Sequence, residues 1–180
     1  MAVILKSCRV PWDISPSMSG LTLTHSETSV RPECSVVFGG GRLGEDGLTD
    51  SRRIEIWFEG AWFARCGPKF DNDDITSIGY EVLGAYDGPP RSYLEWRKAQ
   101  WRQTGFCPDS SFYVATRSDW RETAHASGWQ KLNHYVVEGR DGYVEILAER
   151  FRWREWPWAN GLRDDVSGEA DIIASGDGTE

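Results

Sequence analysis

The feature that most constrains the fold is a run of alternating apolar and polar residues over positions 132–149, interrupted by a turn at residues 139–142. Alternation on both sides of a glycine-containing turn predicts a hairpin of two antiparallel strands with one buried face. For a loop of two or four residues, the same residues share a face. The predicted core face holds Tyr135, Val137, Val144, Ile146 and Ala148, and the mixed face holds His134, Val136, Glu138, Tyr143, Glu145, Leu147 and Glu149.

A second hairpin is predicted for residues 53–58 and 61–66, with Glu59 and Gly60 as a two-residue loop. Cross-strand pairing would then place Trp57 directly opposite Trp62 on the less apolar face of the ribbon. The face predicted to join the core holds Ile54, Ile56, Phe58, Ala61 and Phe63.

Two helices are predicted between these hairpins. The first covers residues 91–103 and is ended by Gly105. The second begins at Ser118 or Asp119, either of which can cap a helix, and ends near Gly128. Because hairpins outnumber crossovers, the expected fold class is α+β, with an antiparallel sheet built from hairpins and two helices packed on one face. Further short strands are predicted at residues 34–38 and 112–115.

Composition divides the chain into three parts. Residues 1–33 are rich in Ser, Thr and Pro and are predicted to be irregular, with a possible edge strand at residues 21–24. Residues 34–158 are predicted to form a single α+β domain. Residues 159–180 carry six acids against one arginine and are predicted to be a disordered acidic tail.

A glycine-rich segment at residues 39–44 matches the spacing G-x-G-x-x-G. That pattern holds a pyrophosphate where a helix N-terminus follows it. Residues 45–50 are acidic and poor in helix formers, so a flexible loop over residues 39–50 is the preferred interpretation and a nucleotide cradle the alternative.

Charge and cysteine usage limit the classes of function. The chain has 28 acidic and 20 basic residues and a net charge of -8, which argues against nucleic-acid binding. Four cysteines without metal-site spacing, and a start too short for an export signal, predict a cytoplasmic protein; an exported, disulfide-paired protein is the alternative. No metal or cofactor is expected, since Asp71, Asp73 and Asp74 fit a helix cap better than a calcium loop.

His134 is the most notable titratable residue, because the hairpin places it on the mixed face near Glu138, Glu145 and Glu149. A histidine beside carboxylates can act as a general base, and Glu145 is its candidate partner. The alternative is a half-solvated face with ordinary cross-strand contacts. Cys107 could be a nucleophile if folding brings it near His134, or an unreactive buried thiol.

Ten tryptophans in 180 residues suggest a binding surface as well as a core. The side chains predicted to lie on less apolar faces are Trp57, Trp62, Trp153 and Trp156. Arg97 falls within the apolar stripe of the first helix, where it could stack on Trp101, pair with an acid, or cover the edge of the stripe. Alternation places Arg150, Arg152 and Arg154 on one side, either as an anion site or as a salt-bridged solvent face.

Three short strings carry a resemblance: residues 118–120, residues 134–137 and residues 141–148. They are similar to small bacterial proteins of unassigned function, in which a Ser-x-Trp helix start precedes a His-aromatic strand and a strand that reads aspartate, aromatic, glutamate, apolar, alanine. The resemblance covers about residues 52–156. It implies a cytoplasmic single domain and no catalytic residues.

These observations favour a non-enzymatic protein that binds and neutralises a basic protein partner, such as the immunity partner of a bacterial toxin. Its anchors would be Trp57, Trp62, Trp153 and Trp156. The alternative is a small enzyme or ligand-binding domain with a pocket around His134, Glu145 and Arg97. A third hypothesis is carbohydrate recognition through stacked tryptophans.

Overall fold

The structure is a computed structural model that describes residues 2–15, 20–26, 32–68 and 75–157. Within these ranges the chain forms eleven strands and two α-helices, which confirms the α+β class. Asp71, Asp73, Asp74 and the acidic tail lie outside the described residues. The strands are β1 (Val3–Ser7), β2 (Trp12–Ile14), β3 (Thr22–Ser26), β4 (Glu33–Leu43), β5 (Thr49–Glu59), β6 (Phe63–Pro68), β7 (Tyr80–Leu83), β8 (Phe112–Arg117), β9 (Asn133–Glu138), β10 (Gly142–Ala148) and β11 (Arg150–Pro157).

The helices are α1 (Tyr93–Thr104) and α2 (Asp119–Ala126), with short 3-10 helices at Ile75–Ile78 and Pro90–Ser92. Both α-helices confirm the sequence predictions. Gly105 adopts a φ of 75° and ends α1, and the Ser118 hydroxyl caps α2 by accepting the Arg121 N–H at 3.1 Å. Neither of these helices, nor any other among the described residues, is long and apolar enough to cross a membrane.

The strands form two sheets. The first sheet has six strands in the order β6-β10-β9-β8-β1-β7, with only the β1-β7 pair parallel. The second sheet has the order β11-β5-β4-β2, and β3 also pairs with β4. The hairpin predicted at residues 132–149 is confirmed, because β9 pairs with β10 and Glu138 lies opposite Tyr143.

The hairpin predicted at residues 53–66 is wrong. β5 pairs with β4 and β11 in the second sheet, whereas β6 pairs with β10 in the first. Gly60, with a φ of 61°, lies where the chain bends from one sheet into the other. Alternation on both sides of a glycine is compatible with a turn or with such a bend, and long-range pairing decides between them.

At this corner β5 and β6 run beside β10 and β11. The Trp62 N–H donates to the Leu147 carbonyl at 3.1 Å, and the Glu149 N–H donates to the Glu59 carbonyl at 3.0 Å. Trp57 consequently lies in the second sheet, Trp62 directly precedes β6 of the first sheet, and the two residues do not pair. Phe63 was predicted to be in the core but is 41% exposed. The bend at Gly60 changes which residues point toward the core, so the alternation of β5 does not continue into β6.

The main core fills the space between the sheets. The predicted core faces are confirmed there, apart from Phe63. Trp12 lies near its centre, with its ring centroid 5.4 Å from Phe38 and 5.7 Å from Trp153. Buried members that come from the two hairpin segments are Ile54, Ile56, Phe58, Ala61, Tyr135, Val137, Val144, Ile146 and Ala148.

The described part of residues 1–33 is more regular than predicted. It supplies β1 to the first sheet and β2 and β3 to the second, so only the edge strand near residues 21–24 was anticipated. The predicted loop at residues 39–50 is also wrong, since residues 39–43 continue β4. A Cβ on Gly40 would lie 2.3 Å from the Asp13 carbonyl oxygen, so glycine here allows β2 to approach β4 closely.

Candidate functional site

The face of the first sheet that carries His134 and Glu145 is covered, and both side chains are 1% exposed. Part of the cover is α2, whose Ala124 packs with Leu132 and Leu147. The expectation of a half-solvated or accessible face is therefore wrong. The assignment of the two residues to the same face is right, but alternation does not reveal whether a second layer covers that face.

His134, Glu145 and Ser118 are buried and form a network with the half-buried Tyr80 and the exposed Arg65. His134 Nε2 lies 3.2 Å from Glu145 Oε1, although the contact is not aligned as a hydrogen bond. Its Nδ1 lies 2.8 Å from the Ser118 hydroxyl. Ser118 accepts the Arg121 N–H, so its own hydroxyl proton is available to Nδ1, and the proton of the neutral ring is then on Nε2, which faces the carboxylate.

Glu145 is the centre of this network. Arg65 donates to both carboxylate oxygens, and the Tyr80 hydroxyl donates to Oε1. Burial alone would raise the pKa of Glu145, but the contact with His134 and the hydrogen bonds from Arg65 and Tyr80 outweigh it and lower the pKa to about 2. Burial, together with the bond to Glu145, raises the pKa of Tyr80. The network thus ties β6, β7, β9, β10 and the start of α2 together.

Cys107 lies in a different cluster, beside α1 and β2. Arg97 Nη2 lies 3.2 Å from the Cys107 sulfur, and the thiol donates to the Asp109 carbonyl at 3.1 Å. Burial raises the pKa of Cys107 to about 12 despite the opposing effect of Arg97. A thiol held in this way is protonated at neutral pH, which agrees with the unreactive alternative.

Arg97 combines two of the roles considered for it. Its Nη2 donates to Asp13 Oδ2 at 2.6 Å and to the Asp109 carbonyl at 3.1 Å, and its guanidinium lies 5.2 Å from the Trp101 ring centroid. The ion pair fastens α1 to β2, because Asp13 belongs to that strand. Neither Asp13 nor Asp109 was singled out from the sequence. Asp13 is 84 positions away from Arg97, and Asp109 lies across the loop that follows α1, so no local signal identifies either as its partner.

A cleft opens beside this ion pair, between α1 and the first sheet. It consists of two cavities of about 380 and 400 Å³ that share Tyr93, Asp109, Ser111 and Glu138 as a common wall. The first cavity extends toward Val82, Tyr86 and Trp96, and the second toward Asp13, Arg97 and Arg140. Each volume is within the range of small-ligand sites.

The common wall concentrates negative charge. The Tyr93 hydroxyl donates to Asp109 Oδ2 at 2.5 Å. The Tyr113 hydroxyl lies 3.2 Å from Asp109 Oδ1 and 3.3 Å from Glu138 Oε2. A hydroxyl has one proton, so Tyr113 can donate to only one of these carboxylates at a time.

The backbone of this wall is unusual at Ser111. Its φ of 58° is the only positive value for a residue other than glycine in the described chain. Serine in this region stores strain that the surrounding contacts must balance, and such residues often occur at binding sites. The Ser111 carbonyl accepts the Glu138 N–H at 2.8 Å, which joins the strained residue to the second carboxylate.

Aromatic rings form one side of the first cavity. The Tyr86 ring centroid lies 5.0 Å from that of Trp96 and 5.8 Å from that of Tyr93. Tyr93 and Trp96 belong to the apolar stripe of α1. Both residues line a cleft rather than a closed core, and helical periodicity does not distinguish these two environments.

The predicted anchor residues are distributed over three places. Trp153 is 5% exposed and belongs to the main core, so its assignment to a binding surface is wrong. Trp62 is partly exposed, and its ring packs against Trp129 in a tilted arrangement, with centroids 4.4 Å apart. Trp57 and Trp156 lie on the outer face of the second sheet, away from the cleft.

That outer face carries an arginine–tryptophan ladder formed by Trp57, Trp156, Arg53, Arg152 and Arg154. The Arg154 guanidinium lies 4.3 Å from the Trp57 ring and 4.4 Å from the Trp156 ring. The common orientation of the three arginines of β11 is confirmed, and their acidic partners are Glu55 and Glu59 of β5. The alternative of a salt-bridged face therefore describes the arrangement.

Fold and cleft together define a two-sheet α+β protein with an acidic, aromatic-walled cleft beside its longer helix. No protein-family description, curated protein or solved structure matches the chain. In the part of the chain that the structure describes, no three His, Cys, Asp or Glu side chains are grouped as metal ligands.

Proposed function

We propose that this protein is a non-catalytic binding protein that takes a positively charged group into the cleft between α1 and the first sheet. The observation that carries the proposal is the common wall, where Asp109 and Glu138 share the Tyr113 hydroxyl beside the Tyr93 ring. Carboxylates attract a cation directly, and aromatic faces attract it through their negative quadrupole. Trp96 and Tyr86 extend that aromatic surface.

Binding is favoured over catalysis because the groups that could perform chemistry lie outside the cleft or are unreactive. His134 and Glu145 are each 1% exposed beneath the cover of the first sheet and do not line the cleft. The Cys107 thiol is buried and protonated. A cytoplasmic setting fits the four cysteines, all of which are free thiols.

The proposal is tested by titrating the protein with n-hexylammonium while tryptophan fluorescence and heat are recorded. We expect saturable binding that weakens as salt is added, because the attraction is electrostatic and the cleft is partly open. The matched neutral probe, n-hexanol, should bind at least about tenfold more weakly. Equal binding of the two probes, or no saturable binding of the cation, would contradict the proposal.

A matched pair of variants locates the site. Glu138→Gln removes a charge from the common wall and should weaken hexylammonium binding about tenfold. Glu122→Gln removes an exposed charge from α2 and should leave the affinity unchanged. If both variants bind as the wild type does, the cation site is not in this cleft.

A second candidate function is the binding and neutralisation of a protein partner, as an immunity protein blocks a toxin sterically. The arginine–tryptophan ladder supports it, because arginine and tryptophan are the side chains enriched at the centres of interfaces. The arginines make an acidic partner patch the better complement on this face, whereas the cleft would suit a basic one. Trp62, Arg97, Arg152 and Trp156 remain candidate contacts.

The partner hypothesis is tested with the product of the neighbouring reading frame, co-expressed and purified with this protein. A complex that Trp57→Ala and Arg154→Ala weaken, and that Arg117→Ala does not, would support the ladder as the interface. Failure of the two proteins to form a complex would count against this candidate. Fluorescence quenching by neutral sugars in the absence of a partner would favour carbohydrate recognition instead.

A further inference from the structure

We infer that the cleft takes a dipolar ligand, with an ammonium group in the first cavity and a carboxylate in the second. The inference rests on the proposed function, since it assumes that the common wall attracts a cation. It adds the opposite end of the ligand, the second cavity and the residues that would recognise a negative charge there.

The charged lining of the two cavities is different. In the first cavity the charged lining residues are Asp109 and Glu138, and the rest of the lining is aromatic, aliphatic or neutral. In the second cavity the same two carboxylates are joined by Asp13 and by two arginines, Arg97 and Arg140. A cation is therefore favoured in the first cavity, and a negative group finds guanidinium partners only in the second.

Arg97 is held in place before any ligand binds. Three acceptors engage its Nη2, namely Asp13, the Cys107 sulfur and the Asp109 carbonyl, and Trp101 lies against the guanidinium plane. A charge that is already oriented loses little entropy when a ligand arrives. Arg140 follows β9 and lines the second cavity, and its Nε lies 3.7 Å from Asp141 Oδ1 in a surface ion pair.

The Arg97–Asp13 pair also contains buried polar atoms without partners. Asp13 is 8% exposed and lines the second cavity, yet its Oδ1 has no hydrogen-bond partner, and neither has Arg97 Nε. Buried donors and acceptors are nearly always satisfied in native proteins. In the second cavity, the carboxylate of a dipolar ligand can accept a hydrogen bond from Arg97 Nε after a small shift of these side chains.

The common wall determines the kind of ligand. The common wall lies between the two cavities. The ammonium and the carboxylate of one ligand must therefore be several bonds apart if each is to lie in its own cavity. An ω-amino acid with a longer chain meets this condition, whereas glycine, whose ammonium and carboxylate are joined by a single methylene carbon, does not. The recognised chemistry is therefore an extended zwitterion with a primary ammonium at one end and a carboxylate at the other.

The test compares three probes of equal chain length: ε-aminocaproate, n-hexylammonium and caproate, with glycine as the short zwitterion. We expect ε-aminocaproate to bind at least about tenfold more tightly than hexylammonium, and caproate and glycine to bind weakest. Hexylammonium binding as tight as ε-aminocaproate would overturn the inference while the proposed function stands. If neither amine binds, both fail. If caproate binds best, the polarity assigned to the cleft is wrong.

Two arginine variants identify the carboxylate end. Arg140→Gln should reduce the ratio of ε-aminocaproate affinity to hexylammonium affinity from about ten to near one. The control is Arg117→Gln, an exposed arginine at the end of β8, which should leave the ratio at its wild-type value. An unchanged ratio in Arg140→Gln would overturn the role of the second cavity. Thermal melting of both variants shows that a changed ratio does not arise from unfolding.

Discussion

The buried network around Glu145 and the cleft around Asp109 are built from the same kinds of groups. In each, a carboxylate accepts hydrogen bonds from tyrosine hydroxyls and an arginine lies nearby. In the network, His134 and Glu145 are buried, the Arg65 side chain lies at a solvent-exposed edge, and the contacts connect four strands and a helix. The cleft carboxylates line open cavities. The types of side chain in a cluster therefore define which interactions are possible. Solvent access decides whether a ligand can reach those side chains.

The largest expected difference is in stability. Glu145→Ala should lower the free energy of unfolding by about 3–5 kcal/mol, because it leaves Arg65, His134 and Tyr80 without their common acceptor in a buried site. Urea denaturation measures the change. The matched control, Glu81→Ala, removes an exposed carboxylate of β7 and should cost less than about 1 kcal/mol. Equal losses in the two variants would show that the network is not a structural centre.

The same comparison can be made by changing pH. The pKa of Glu145 is lowered to about 2 in the folded protein, against 4.5 as its ordinary value. Its stabilising effect is therefore fully present above about pH 4.5 and is lost as the pH falls toward about 2. The stability advantage of the wild type over Glu145→Gln should shrink by roughly 2–3 kcal/mol across that window. An advantage that stays constant with pH would contradict the depressed pKa.

A smaller effect is expected at the start of α2. Ser118→Ala removes both the helix cap and the hydroxyl that faces His134, and should cost about 2 kcal/mol. Ser127→Ala, at the other end of the helix, removes an exposed hydroxyl and should cost a few tenths of that. Thermal or urea unfolding distinguishes the two. A loss at Ser118 no larger than that at Ser127 would mean that the buried hydrogen bonds add little.

The smallest stability effect is expected in the cleft. Asp109→Asn keeps an acceptor for Tyr93 or Tyr113 and lies at a partly exposed position, so it should cost less than about 1 kcal/mol. Its effect on hexylammonium affinity should be larger, about tenfold, because the wall loses a charge. Unfolding and binding measured on the same sample separate the two quantities. A large loss of stability with unchanged affinity would reverse the comparison and make the cleft carboxylates structural.

Several elements could be predicted because their signals are local. The β9–β10 hairpin follows from alternation around a short turn, and α1 and α2 follow from Gly105 and Ser118 as end signals. Arg97 was correctly singled out, since an arginine within an apolar stripe requires a partner. The partner itself, Asp13, could not be found, because it belongs to a segment predicted to be irregular.

Within a single strand or helix, the residues that share a face follow from the sequence, because side-chain direction there depends only on local backbone geometry. The sequence by itself did not determine what lies against each face. Tertiary structure decided that the chain bends at Gly60 rather than turning back, and that His134 and Glu145 are covered. It also decided that Asp13, Arg97, Asp109 and Glu138 meet around one cleft. These outcomes depend on packing between segments far apart in the chain, whose energies no local pattern contains.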